Sequence, residues 1–197
     1  MDNKRNTRQE NINTPEGPPD DESSEIEKFV TLAINGDVEA FGELYTHHVT
    51  KIYRYVYYNV HNNKERAEDI TQEVFLKAWK AIGSCKGKEK TFSSWLYRIA
   101  HNLIIDIIRK SQKQLSHEAE LPEDIRDKSD GMEISLEQRD LLKVIDVLSP
   151  NQRQVILMKF IEDMDNREIA ETMGKSTGAV RILQMRALEV LRKTLSE

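Results

Sequence analysis

This 197-residue chain has only one cysteine, no long apolar run and no leader-like N-terminus. The single cysteine, Cys85, excludes an intramolecular disulfide and any zinc site built from several cysteines. The longest apolar runs, 103–108 and 155–161, are each broken by a charged residue and fall far short of the roughly 18 to 20 residues that cross a bilayer. Residues 1–25 are polar throughout, which excludes a secretory signal. We therefore expect a cytoplasmic protein with no membrane insertion.

Motifs typical of catalysis or cofactor binding are also lacking. The eight glycines form neither a G-x-x-x-x-G-K phosphate loop nor a G-x-G-x-x-G dinucleotide turn. None of the five histidines follows an acidic residue by three positions, which is the spacing of carboxylate-bridged metal pairs in helical bundles. We expect no metal, no cofactor and no enzymatic activity.

Charged residues are abundant and unevenly distributed along the chain, although the formal net charge is only -5. Residues 77–110 carry 8 basic and 2 acidic side chains, and residues 175–193 carry 5 basic and 1 acidic side chain. The net charges of successive segments are -5, +4, -5 and +1 for residues 1–27, 28–111, 112–140 and 141–197. This alternation indicates two surfaces that face a polyanion, separated by an acidic connector.

Apolar spacing predicts four helices in residues 26–111, following a disordered tail at 1–25. The first helix ends at Asn35-Gly36-Asp37, where glycine stops one helix and Asp37 caps the next. The later helices cover about 38–58, 64–82 and 92–110. Between the last two, residues 83–91 contain two glycines and three lysines and are predicted to be an exposed loop.

Residues 112–135 are acidic and have little periodicity, so we interpret them as a flexible linker. Four helical segments are predicted in 136–197. Ser149-Pro150-Asn151-Gln152 predicts a helix start with a capping box. Asp165 and Glu168 have the same spacing and predict the start of the next helix. The fold class predicted is all-α: two small helical domains, an N-terminal helical bundle and a C-terminal four-helix domain with a helix-turn-helix, joined by the flexible acidic linker.

The best-specified short motif is a helix-turn-helix centred on Gly174. Ala170 is small enough to admit a partner helix, Gly174 suits the left-handed turn, and Val180 and Leu183 would hold the second helix in place. Arg181 and Gln184 would reach base edges, while basic side chains nearby would contact phosphates. The residues assigned to duplex DNA are Lys175, Ser176, Thr177, Arg181, Gln184 and Arg186. The alternative is a helical hairpin with a solvated basic face.

One face of the third predicted helix is polar except for a leucine, opposite the apolar stripe. It comprises Asp69, Gln72, Glu73, Leu76 and Lys80. This face is either merely solvated or a docking surface, with acids for a basic partner and Leu76 as an apolar anchor.

Several motifs, in order along the chain, resemble the extracytoplasmic function (ECF) sigma factors, compact two-domain members of the bacterial primary-sigma family. They are the run from Asp69 to Trp79, the run from Phe92 to Asn102, Leu148-Ser149-Pro150, and the helix-turn-helix. The resemblance covers about Ile26 to Leu195 and implies a promoter-specificity subunit of RNA polymerase. It implies a region 2 domain at 26–111, the linker at 112–135 and a region 4 domain at 136–197.

In this family, the helix face just described binds the clamp helices of the largest polymerase subunit, and region 4 meets the flap region. The loop at 83–91 and the following helix recognise the "-10" promoter element as it melts, and the helix-turn-helix reads the "-35" element. Residues carried over to the "-10" role are Ser84, Lys86, Lys88, Lys90, Arg98, Asn102 and Arg109. Of the nearby aromatics, we expect Trp95 to belong to the core. The family also implies an anti-sigma factor as partner and a response to a stress or envelope signal.

A conventional helix-turn-helix regulator, with an N-terminal module that senses a ligand or dimerises, is the main alternative. It accounts for the C-terminal half of the chain. It leaves the basic loop at 83–91 and the acidic helix face around Glu73 unexplained.

Overall fold

The computed structural model describes residues 21–85, 91–117 and 144–196. Within these residues the regular structure is entirely helical, which confirms the predicted all-α class. The helices are α1 (Asp21–Ile34), α2 (Val38–Asn59), α3 (Lys64–Ala81), α4 (Phe92–His117), α5 (Pro150–Phe160), α6 (Asn166–Met173) and α7 (Thr177–Ser196), with a 3-10 turn at Ile82–Cys85. None of the helices described is both long and apolar enough to span a membrane.

Two helices are longer than the sequence pattern predicts. Helix α1 begins at Asp21, five residues before the predicted start, and α4 runs to His117 rather than to about Lys110. Neither extension contains a glycine or proline that would stop a helix, and α4 gains Gln, Lys and Leu, which are good helix formers. The rest of the predicted tail, 1–20, and of the predicted linker, 118–135, lies outside the residues described.

The turns between the first three helices follow the predicted capping signals. Gly36 has a φ of 96°, in the left-handed region that glycine tolerates. Directly after it, the Asp37 carboxylate caps α2 by accepting a hydrogen bond from the Ala40 N–H at 3.0 Å. Asn63 caps α3 in the same way, accepting from the Arg66 N–H at 2.8 Å. The predicted stop and cap at 35–37 are therefore confirmed.

Helices α1 to α4, here called the N-terminal module, enclose their own apolar core. The predicted stripe of α3 faces inward, with Ala67, Ile70, Val74 and Ala78 all buried. Burial of such side chains contributes about 1.5 to 3 kcal/mol for each large aliphatic residue. The α3 residues on the opposite side are exposed, so the face predicted for docking is free within this module.

Helices α5 to α7, here called the C-terminal module, bury apolar side chains that are continuous with the core of the N-terminal module. Its fully buried side chains come from all three helices, and they include Val155, Met158, Ile169, Val180 and Ala187. At the start of α5, the Ser149 N–H donates to the Gln152 side chain at 3.0 Å, as the capping-box prediction requires. Most of the first helical segment predicted in 136–197 lies outside the residues described, which resume at Val144.

The two modules pack against each other, an arrangement that the sequence analysis did not predict. Helix α6 lies against α4, and α5 lies against α2. Hydrogen bonds cross the contact, including one from the Thr172 hydroxyl to the Ser94 carbonyl at 3.4 Å. The contact brings the helix-turn-helix beside the helix that the sequence analysis assigned to the "-10" element.

Acid sensitivity is built into the N-terminal core at His48. Its side chain lies 5.3 Å from the Phe92 ring, centroid to centroid, and neither ring nitrogen has a hydrogen-bond partner. Burial lowers the pKa of His48 to about 4, with further lowering by Lys51 and His47. The folded protein therefore resists the proton that an unfolded chain accepts at about pH 6.5.

We predict that the free energy of unfolding falls as pH drops from about 6.5 toward 4, with a slope of up to about 1.4 kcal/mol per pH unit from this group. His48→Leu should remove that part of the slope, while buried His101, whose pKa is also lowered to about 4, retains its own contribution. Chemical denaturation at a series of pH values measures the slope. An identical slope in wild type and variant would contradict the prediction.

Candidate nucleic-acid interface

The exposed face of α3 gathers all five residues predicted to dock a partner. Asp69, Gln72, Glu73, Leu76 and Lys80 are exposed, and Leu76 is 52% exposed although its apolar neighbours on the helix are buried. Glu73 pairs with Lys77 at 3.1 Å, one turn along the helix. An exposed leucine ringed by charged groups has the make-up of a binding surface with one apolar anchor.

A groove next to this face was missed by the sequence analysis. It has a volume of about 300 Å³ and lies between α2 and α3, lined by Tyr45, Val49, Tyr53 and Gln72 among others. Tyr45 is 43% exposed and lies edge-on to Phe75, with ring centroids 4.7 Å apart. The helical spacing of Tyr45, Val49 and Tyr53 is the signal that could have indicated a second apolar strip on α2.

The residues assigned to the "-10" element are only partly brought together. Ser84 is exposed in the 3-10 turn, whereas Lys86, Lys88 and Lys90 lie outside the residues described. On α4, Arg98, Asn102 and Arg109 are all exposed along one side. The Arg98 guanidinium donates a hydrogen bond to the Glu171 carbonyl of α6, so this side chain is already engaged with the C-terminal module.

A second groove, of about 540 Å³, runs between the modules beside α4. Asn102 and Arg109 line it from one side and Lys175 lines it from the other. Half-buried Ile105 and Ile108 form its apolar floor, together with Met173. The groove thus joins side chains that the sequence analysis assigned to two different promoter elements.

The aromatic residues near the loop are not available as stacking platforms. Phe92 and Tyr97 are 1% and 2% exposed, and Trp95 is half-buried with its ring 5.6 Å from that of Phe92. Trp95 packs against the core, as predicted.

The helix-turn-helix depends on helix caps and a glycine turn that can be identified in the sequence. The Asp165 carboxylate caps α6 by accepting hydrogen bonds from the N–H groups of Arg167 and Glu168, at 2.7 and 2.8 Å. The Glu168 carboxylate accepts a hydrogen bond from the Asp165 N–H. The N–H groups of Glu168 and Arg167 lower the pKa of Asp165. Gly174 ends α6 with a φ of 61°, and the Ser176 hydroxyl accepts from the Ala179 N–H at 3.2 Å to open α7.

Helix α7 and the turn before it carry the side chains predicted to contact duplex DNA. Lys175, Ser176, Arg181 and Arg186 are exposed and Thr177 is half-buried. The remaining one, Gln184, donates from its amide to the Asn166 side chain at 2.8 Å. A base contact by Gln184 would therefore replace an existing hydrogen bond. Among the residues described, no three histidine, cysteine or acidic side chains cluster as a metal site.

Comparison with known proteins assigns both modules to one family. Residues 44–114 match the family model of sigma-70 region 2, and residues 138–191 match that of sigma-70 region 4. The chain is 34% identical over 182 residues to the ECF RNA polymerase sigma factor BldN of Streptomyces coelicolor, spanning 90% of this chain and 69% of BldN. This chain belongs to the ECF sigma factors. It is also 34% identical over 195 residues to SigW of Bacillus subtilis, spanning 87% of this chain and 97% of SigW.

Two solved structures share the fold of this ECF sigma factor. One is CnrH in complex with the cytosolic domain of CnrY, with a TM-score of 0.66, 23% identity, and coverage of 87% of this chain and 97% of that chain. The other is RpoE of Bartonella quintana in complex with the anti-sigma factor NepR, with a TM-score of 0.68, 20% identity, and coverage of 81% and 98%.

The sigma factor binds RNA polymerase and directs initiation at specific promoters. Its family consists of specificity subunits, which are not enzymes. The match to region 2 favours this function over a conventional regulator, because such a regulator would leave the N-terminal half of the chain unexplained.

We predict opposite effects on stability for alanine at two glycines of the helix-turn-helix. Gly174→Ala should destabilise the C-terminal module by about 1 kcal/mol or more, because alanine resists the left-handed conformation. Gly178→Ala should stabilise the protein by about 0.5 to 1 kcal/mol, because Gly178 is helical and a methyl group there meets only Ser176 Oγ, at 3.9 Å. Thermal unfolding of both variants measures the two signs, and destabilisation by both would contradict the account of Gly178.

Proposed function

We propose that this sigma factor divides its work between its two modules. The region 2 domain, 26–111, docks on the polymerase core and engages the "-10" element as it melts. The region 4 domain, 136–197, meets the flap region and reads the "-35" element as duplex, and the segment 118–135, after α4, links the two. The observation that supports this division best is the exposed α3 face, where acidic groups surround Leu76.

Core binding is assigned to the α3 face because its chemistry suits a partner with basic and apolar side chains. Asp69 and Glu73 lie one turn apart with Leu76 beside them, all exposed on a helix whose other side is fixed in the core. Charges at the rim of such a surface guide association, and the central leucine contributes buried area.

Promoter melting is assigned to the loop at 83–91 and the exposed side of α4. A strand that is being opened offers unstacked bases and phosphates, which a basic surface attracts. Arg98, Asn102 and Arg109 project from one side of α4. Duplex reading is assigned to α7, where exposed Arg181 lies one turn into the helix and Lys175 and Arg186 flank it.

The same proposal places the protein in the cytoplasm, with a non-catalytic role, under control of an anti-sigma factor that responds to a stress or envelope signal. Both structural neighbours were solved in complex with another protein, and the partner of RpoE is an anti-sigma factor. In vitro transcription over a pool of genomic fragments, with and without this protein, tests the proposal. Discrete new starts that share two spaced upstream elements are expected, and duplex binding without new starts would contradict it.

We predict that Asp69→Ala with Glu73→Ala weakens binding to purified polymerase core by about tenfold or more, where tenfold corresponds to 1.4 kcal/mol. The two carboxylates are exposed, so the fold should survive their removal. Glu39→Ala with Glu43→Ala is the matched control, because it removes two exposed acids at the same spacing from α2. Equal affinities for the double variant and the control would refute the docking role.

We predict that Arg181→Ala costs roughly 1 to 3 kcal/mol at cognate promoter sites and far less on random DNA, if its guanidinium makes a bidentate base contact. Arg186→Ala, assigned to a phosphate, should weaken binding to both DNAs equally. Competition binding with holoenzyme measures the two ratios. Equal losses on cognate and random DNA for Arg181→Ala would reduce this residue to a phosphate contact.

A further inference from the structure

The groove of about 540 Å³ beside α4 is lined by polar groups from three separate parts of the chain. Helix α4 contributes His101 and Arg109, the first turn of α5 contributes Asn151, and the turn before α7 contributes Lys175. Sites for small molecules in proteins have volumes of about 300 to 1,000 Å³. The groove is therefore large enough for a ligand of mononucleotide size.

His101 brings a buried polar atom without a partner to this groove. The residue is 6% exposed, and its Nδ1 atom has no hydrogen-bond partner. Gln154 of α5 is fully buried, and neither atom of its amide has a well-formed hydrogen bond. Leaving a buried donor or acceptor unpaired is costly, so folded proteins ordinarily supply it with a partner. Because His101 lines the groove, a bound ligand can be that partner.

The charges around the groove favour an anion. Burial lowers the pKa of His101 to about 4; the Gln154 side chain opposes this shift, and the nearby Lys175 ammonium lowers the pKa further. The ring is therefore neutral near pH 7, and Nδ1 donates or accepts according to its tautomer. Arg109 is 72% exposed, and its only weak pairing is with Asp106, at 4.0 Å. Both cationic groups can thus turn to a ligand.

The N-terminus of α5 adds further positive character. This helix is 11 residues long and begins at Pro150, which lines the groove together with Ser149 and Asn151. The N–H groups in the first turn of a helix carry partial positive charge and bind phosphate groups readily. Proline has no N–H, so the donors of this turn begin with Asn151.

The rest of the lining suits the other parts of a nucleotide. Ile105, Ile108 and Met173 form an apolar floor on which a planar ring can lie. Exposed Asn102 and Asp106 offer amide and carboxylate groups that can hydrogen-bond to a base and a sugar. A simple inorganic anion would use the cationic end of the groove and leave this floor uncovered.

We propose that the groove is a binding site for a nucleoside phosphate. Its phosphate lies between Lys175, Arg109 and the N-terminus of α5, and its base lies on the floor formed by Ile105 and Ile108. The lining residues belong to both modules, so a bound ligand contacts both. Binding requires neither polymerase nor promoter DNA, and it is therefore measurable on the sigma factor alone.

Isothermal titration calorimetry with the full chain tests the choice of ligand. The probes are the four nucleoside monophosphates, guanosine and inorganic phosphate, at one fixed ionic strength. At least one monophosphate should bind about tenfold or more tightly than guanosine or inorganic phosphate, because each of these fills only part of the groove. Inorganic phosphate that binds as tightly as every monophosphate would overturn the nucleoside assignment, and the absence of monophosphate binding would overturn the site.

Two variants test the position of the phosphate. Lys175→Met should weaken monophosphate binding by about tenfold, whereas Lys193→Met, which removes the same charge from an exposed position on α7, should leave it unchanged. Asn151→Asp should weaken binding at least as much, because it places a negative charge beside the phosphate. The same substitution suits the first turn of a helix, so the fold should survive. Equal affinities for the two lysine variants, or undiminished binding by folded Asn151→Asp, would overturn the assignment.

A single-stranded oligonucleotide without a terminal phosphate distinguishes a free nucleotide from a nucleic-acid backbone. It should bind no more weakly to Asn151→Asp than the loss of one backbone contact allows, and monophosphates should show the larger loss. If the oligonucleotide is sensitive to Asn151→Asp while no monophosphate binds to the wild type, the groove holds a nucleic-acid phosphate and the proposal is wrong.

Discussion

The buried carboxylate of Glu162 is the constraint from which the arrangement of the modules follows. A carboxylate that leaves water must find charged or hydrogen-bonding partners, or its burial costs several kcal/mol. Here the partners are Arg54 and Tyr97, on two different helices. The turn after α5 is therefore fixed between α2 and α4. Helix α6, which begins four residues later, is placed along α4 as a result.

Local signals explain which parts of this fold the sequence could predict. The caps at Asp37 and Asp165 and the turn at Gly174 lie within four residues of the groups they satisfy, and helical spacing identified the buried stripe of α3. The Glu162 contacts span 108 residues to Arg54 and 65 residues to Tyr97. No local pattern encodes such a pairing, since an isolated glutamate in a sequence ordinarily indicates a solvated side chain.

The candidate surfaces likewise include one that the sequence predicts and others that it does not. The α3 face was predictable because a helix with one buried stripe must expose the opposite side, and Leu76 is conspicuous there. The hydrogen bond from Arg98 to α6 was not predictable, because nothing in the sequence indicates that the C-terminal module packs against α4. The groove at Tyr45 and Tyr53 was missed for a related reason: tyrosines at helical spacing usually belong to a core.

The packing of the two modules affects the two candidate surfaces differently. The buried apolar residues of the two modules form one continuous cluster, so the contacts of Glu162 with Arg54 act alongside apolar packing between the modules. The α3 face, proposed to dock the polymerase core, is exposed while the modules are together. On α4, Asn102 and Arg109 are exposed in the same arrangement and only Arg98 is engaged by α6, so the packing of the modules restricts one of the three side chains proposed to contact the promoter and leaves the other two accessible.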